Sequence, residues 1–193
     1  MKLLAAATGL FVFAAICVAR STEEPKVLAK ITPLPVALDP DFAFRKTKLY
    51  FLSDKPEVQK GLRSNKQGKL TSTVPNKKSA TLQDASINFE RQYRLFGAVT
   101  ALDQHQRFGD YFDFFWRARR RADLTVRLEY RQEKLHSFVQ AREVSYSAAR
   151  GSYRTEFKVV GDDYFDDGRV TAWRCLLIEN GRIVAENRSY LWE

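Results

Sequence analysis

Four aspartates fall within six positions near the end of the chain, at Asp162, Asp163, Asp166 and Asp167 in GDDYFDDG. Carboxylates at that density could wrap a calcium ion, which takes about six to eight oxygen ligands. The spacing departs from D-x-[DN]-x-[DN]-G, no glutamate follows at the bidentate position, and Tyr164 and Phe165 interrupt the polar run. A loop is therefore the first reading, with Gly161 and Gly168 at positive φ and the aspartates bonded to their own backbone; a calcium site is the second. Other chemistry has less to work with. The two histidines, His105 and His136, have no Cys or His at ligand spacing, and there is no G-x-S-x-G elbow, phosphate-binding loop or dinucleotide glycine motif. No catalytic residue, metal or cofactor is expected, and the chain is read as a non-enzyme.

A second group of residues could recognise a partner. In YFDFFWRARRRAD, alternation sends Phe112, Phe114, Trp116 and Ala118 to one face and Tyr111, Phe115 and Arg117 to the other. The first set makes the better core. Tyr111, Phe115, Arg117, Arg119 and Arg120 then form an outward aromatic and arginine surface, the composition that anchors protein interfaces and stacks on sugars.

These residues need strands to hold them. Period-two alternation is read over 87–95, 111–118, 124–131, 137–146 and 152–160, with turns at 119–123 and at SAARG. Asn180-Gly181 between two further alternating runs predicts a type I′ hairpin. Its register would pair Glu179 with Arg182, Ile178 with Ile183, Leu177 with Val184 and Trp173 with Arg188. About seven strands and no helix predict an all-β, antiparallel sandwich. The outline resembles immunoglobulin or fibronectin type III domains, though paired cysteines are absent and Val170 stands where a tyrosine corner would fall. Residues 87–192, through YFDFFWRA, LTVRLEYRQ, DDGRVTAWR, ENGRIVA and SYLW, are also similar to the C-terminal module of N-terminally anchored bacterial proteins. That resemblance implies no activity.

The preceding sequence supplies an address. Lys2 and Arg20 bracket an unbroken apolar run at 3–19, 17 residues long, so residues 1–20 are expected to be a hydrophobic helix serving as signal peptide or membrane anchor. The domain is expected at 87–193, outside the inner membrane and in the cell envelope, either single-pass anchored or secreted. Residues 21–86 read as a mostly flexible linker containing prolines, with a short extra strand at 47–52. The linker also concentrates the charge, because 45–80 holds ten basic residues against Asp54 and Glu57, nearly all of the net +9. It is suited to anionic lipid or polymer, and nucleic acid is not an expected partner. Beyond Cys17 only Cys175 remains, so no internal disulfide supports the domain and this thiol is read as a buried apolar group. The resulting expectation is a non-catalytic envelope module that binds or assembles with an envelope protein or polysaccharide. A carbohydrate-active enzyme or a calcium-binding adhesion module is the alternative.

Overall fold

A computed structural model of the chain describes residues 19–20, 24–28, 31–53 and 82–192. The hydrophobic segment expected at 1–20 lies outside the described residues apart from its last two. Among the described residues no helix is long and apolar enough to cross a membrane.

The chain is mostly antiparallel β-sheet, built on one long hairpin. β4 (Gly109–Gln132) and β5 (Val139–Val160) pair along almost their whole lengths. The turns expected at 119–123 and SAARG are not turns. Both fall inside continuous strands, where the register shifts between Ala118 and Leu124. From the Ala118–Gly151 pair to the Leu124–Tyr146 pair, β4 advances six residues while β5 advances five. A bulge of this kind bends a strand and sharpens its twist. It also switches the buried face of β5 from Tyr153, Thr155, Phe157 and Val159 to Val144 and Tyr146. Small residues line the bend, namely Ala118, Ala122, Ala149 and Gly151, so the backbone can turn without pushing side chains into one another.

The remaining strands extend each half. β3 (Phe42–Leu52) pairs with the first half of β4, and β6 (Val170–Glu179) with the second; β7 (Arg182–Arg188) pairs with β6. Since the hairpin is bent, both halves turn their apolar sides toward one another. Trp173 on β6 lies beside Tyr130 in register, yet its ring meets Phe114 at 5.4 Å and Phe112 at 6.2 Å from the opposite half. The seven-stranded arrangement is one hydrogen-bonded sheet folded over its own core. The expected all-β, antiparallel class holds, with fewer turns than were counted, because strands that cross between layers through a bulge need no turn there.

Residues expected in the linker belong to this sheet. β1 (Ala19–Arg20) pairs with Tyr153 and Arg154, and β2 (Lys26–Val27) with Arg142 and Glu143, so the two lie on the two halves of β5. Farther along, Ala37 and Asp39 donate to the carbonyls of Ile183 and Val184, which binds the chain to the edge of β7. The strand expected at 47–52 is part of β3. A boundary at 87 falls inside α1 (Leu82–Leu95), which stands where a first strand was expected. Alternation at Ile87, Phe89, Tyr93 and Leu95 suggested the strand, but Phe89, Tyr93 and Phe96 also recur at helical spacing, and the helix prevails.

In the final hairpin Asn180 and Gly181 have φ of 49° and 72°, as a type I′ turn demands. Pairing begins at Glu179–Arg182 and Ile178–Ile183, then slips by one, so Leu177 faces Ala185 and Arg174 faces Arg188. The Trp173–Arg188 pair expected without a bulge does not form, which frees Trp173 for the core.

Gly109 opens β4 at φ 143°, where an added Cβ would lie 2.2 Å from the Val159 carbonyl oxygen and 2.8 Å from Val160 Cα. At Gly151, φ is 106° but the same Cβ would meet nothing within 4 Å. Both Ala substitutions incur backbone strain of about 1–3 kcal/mol. Only Gly109→Ala adds a collision with main chain, so its urea midpoint is expected to fall clearly below that of Gly151→Ala.

Candidate binding surface

The bend leaves an outer face on the half formed by β3, the start of β4 and the end of β5. Parity directs Phe115 and Arg117 of β4 and Arg154 of β5 outward there, and after the shift between Phe44 and Lys46 it does the same for Lys46 and Lys48 of β3. Cross-strand register sets Lys46, Phe115 and Arg154 in one row and Lys48, Asp113 and Glu156 in the next. Phe115 is half-buried between cations, with Lys48 Nζ 5.8 Å and the Arg154 guanidinium 5.9 Å from its ring centre. Arg154 is braced by a two-pronged contact with Asp113, whose Oδ1 and Oδ2 each lie 2.8 Å from Nη2. Hydrogen bonding to Asp113 holds the Arg154 charge in place against the desolvation that opposes it. Arg117 is exposed beside this row.

The five residues expected to form a partner surface therefore separate. Phe115 and Arg117 share the face. Arg119 is exposed at the bulge, and its backbone N–H donates to the Asp41 carbonyl. Arg120 instead clasps the fold: it donates to Glu179 at 2.6 Å and Asp39 at 2.9 Å and lies 4.4 Å over the Phe42 ring. Tyr111 points outward as parity requires but is only 6% exposed, because α1 covers it. Its ring carries the Arg94 guanidinium at 3.9 Å, and its hydroxyl donates to the Arg107 carbonyl.

α1 packs Leu95 against Leu52, Phe108 and Tyr111, yet turns its aromatic residues outward. Its arginine is the buried side chain: Arg94 is 8% exposed, bonded to Glu90 at 2.7 Å and Glu156 at 3.3 Å, with Nε lacking a hydrogen-bond partner among the described residues. Its aromatic stripe faces water, with Phe89 67%, Tyr93 65% and Phe96 83% exposed and the first two rings stacked at 6.5 Å. Val99 and Leu102, near α2 (Ala101–His105), continue the apolar surface. Sequence reading missed this stripe because α1 was assigned to a strand. It missed Lys46 and Lys48 because they were counted with the linker.

The aspartate cluster forms α3 (Asp162–Asp167), a short helix between Gly161 and Gly168, both at positive φ. Its carboxylates diverge. Asp163 pairs with Arg142, Asp167 accepts from Gln140 Nε2 at 3.2 Å, and Asp162 and Asp166 are exposed. Among the described residues no three His, Cys, Asp or Glu side chains gather as a metal site would require. A cleft of about 410 Å³ lies beside α3, and its acidic lining includes Glu156 and Asp163, each engaged by an arginine. Cys175 is fully buried in the core, where desolvation pushes its thiol well up.

No family model matches the chain, and neither a curated protein nor a solved structure matches it.

One acidic side chain is placed at a cost. Asp110 turns toward the core mouth, where Oδ2 accepts from Val170 N–H at 2.7 Å, and burial raises its pKa to about 6. A carboxyl with a raised folded-state pKa stabilises the fold fully below its unfolded value, near 3.8, and loses that contribution as pH rises through 6. The difference corresponds to about 3 kcal/mol. Denaturant titrations are expected to show the wild type losing stability between pH 4 and 7 relative to Asp110→Asn, which keeps an oxygen acceptor for Val170 without the charge.

Proposed function

We propose that the chain is a non-catalytic binding module of the cell envelope, exported and tethered through residues 3–19, and that its partner-facing surface is the outer side of β3, β4 and β5 around Phe115. The observation that carries this is the row Lys46–Phe115–Arg154 with Lys48 and Arg117 beside it. A ring held among cations, on a face where Asp113 is already committed to Arg154, suits an anionic partner more than a neutral one. An anionic envelope polymer or an acidic protein surface meets that description. The enzymatic and calcium-dependent alternatives have less behind them, because Glu156 and Asp163 beside the cleft are engaged by arginines and the α3 carboxylates diverge. The immunoglobulin-like outline adds nothing to this reading.

Adjacent residues on β4 separate binding from folding. Trp116 is 1% exposed, stacked on Tyr153 at 4.7 Å, and donates to Thr155 Oγ1 at 2.9 Å. Its truncation should cost about 3–5 kcal/mol. With the full chain in detergent and immobilised polyphosphate as the polyanion probe, Phe115→Ala and Arg117→Glu are expected to elute at clearly lower salt while melting near wild type. Trp116→Ala should melt far lower. If Phe115→Ala and Arg117→Glu both elute with the wild type, this surface is not the binding face. The address has its own check: protease added to intact spheroplasts should digest the domain, and survival until lysis would place it in the cytoplasm.

A further inference from the structure

We infer that the same side of the molecule rests on an anionic phospholipid bilayer, with the α1 ridge of Phe89, Tyr93 and Phe96 at headgroup depth and Lys46, Lys48 and Arg117 on lipid phosphates. This rests on the proposed envelope address and gives that binding surface a partner.

Three observations converge. First, α1 and the turn residue after it present Phe89, Tyr93 and Phe96 outward at i, i+4 and i+7, while the side toward the sheet holds Arg94 and the partly buried Leu95. An exposed ridge of this kind marks a contact with something apolar. Phenylalanine and tyrosine suit the boundary between headgroups and acyl chains, where a ring can be apolar at one end and wet at the other.

Second, the charge beside the ridge has the matching sign. α1 crosses the outer face over Tyr50 and Tyr111, and the cationic rows continue on that same face from Lys48 and Arg154 toward Arg117. Each Lys or Arg near an anionic leaflet adds to the attraction. A bare apolar ridge would be equally satisfied by a second copy of the chain. A cationic field around it would make two such faces repel, and so favours lipid.

Third, the chain arrives from the expected membrane at this place. Ala19 and Arg20, which end the apolar run, pair with Tyr153 and Arg154 of β5. Glu156, which holds Arg94 of α1, is on the same strand, roughly 10 Å from Tyr153 at ~3.3 Å per residue. A bilayer entered by the run at 3–18 would thus lie within reach of the ridge.

The test uses the full chain reconstituted in vesicles, with Cys17→Ser leaving the buried Cys175 as the one native thiol, and an environment-sensitive dye placed at Phe96→Cys or, as reference, at Asn180→Cys in the β6–β7 turn. In vesicles of mixed phosphatidylcholine and phosphatidylglycerol, brominated lipid is expected to quench the dye at 96 several-fold more than the dye at 180. Pure phosphatidylcholine should shrink that difference, as should Lys46→Glu with Arg117→Glu in mixed vesicles, while circular dichroism remains that of the parent. Equal quenching at 96 and 180 in anionic vesicles overturns the inference. So does a blue shift at 96 that grows with protein density without bromine quenching, which would assign the ridge to a second copy. Should quenching fail while polyphosphate elution still depends on Phe115, the bilayer falls and the polyanion surface stands. Should both fail, neither reading survives.

Discussion

One face of the sheet carries its largest apolar cluster, and much of this molecule follows from how that face is taken out of water. Among the described residues no second sheet and no large helix layer cover it. The β4–β5 hairpin therefore has to close on itself, and the uneven spacing between Ala118 and Leu124 permits this by bending both strands at a patch of alanine and glycine. The result is an aromatic contact across the fold, in which Trp173 meets Phe112 and Phe114, while Trp116, Tyr146 and Tyr153 pack together near the bend. The polar atoms caught there are satisfied through one hydroxyl: Thr155 Oγ1 accepts from the Trp116 indole and shares a hydrogen bond with Tyr146. Closing the sheet also creates the outer face, since each residue turned inward commits its neighbour to the opposite side.

Much of this was legible in the alternation. The inward set Phe112, Phe114, Trp116, Leu124, Val126, Leu128 and Tyr130 is the buried set, and Asn180-Gly181 makes the turn its residue types require. What alternation could not show was continuity. A bulge and a turn both interrupt a period-two pattern with small or polar residues, so ARRRAD and SAARG read as loops when they are the bend in two long strands. The slip at Leu177 was hidden for the same reason, since one inserted residue leaves no mark on composition. Helix α1 reads as a strand because Phe89 and Tyr93, four residues apart, satisfy both periods, and only Phe96 decides for the helical one. Flanking prolines at 40 and 56 and the basic residues at 45, 46 and 48 limited the expected strand to 47–52, though the whole of 42–52 is held by a partner too distant in sequence for local composition to reveal.

The candidate surface was half legible. Parity placed Phe115 and Arg117 outward correctly, but parity cannot say what lies on top of an outward residue, and α1 covers Tyr111. Charge reading likewise counted arginines without their partners. Arg120 looks like an interface residue and is a clasp between the N-terminal segment and the last hairpin, bridging Asp39 and Glu179. On the other half of the sheet Glu129, 2% exposed, is held between Arg127 and Arg174, so that outer face spends its charges internally. The face around Phe115 keeps more of its cations available to a partner.

The strands contributed by residues 19–52 have a consequence for when the molecule becomes structured. Ala19 pairs with Tyr153, Lys26 with Glu143, Phe42 with Ala118 and Ala37 with Ile183, so the first elements to be synthesised find no hydrogen-bond partner until most of the chain exists. Such distant pairings make assembly slow, because loop closure must precede any gain from contact. Until those partners have been synthesised, the strands at 19–20, 26–27 and 42–52 have no edge to pair with. The arrangement that seals the finished sheet also delays its completion until the strands of the C-terminal half have been made.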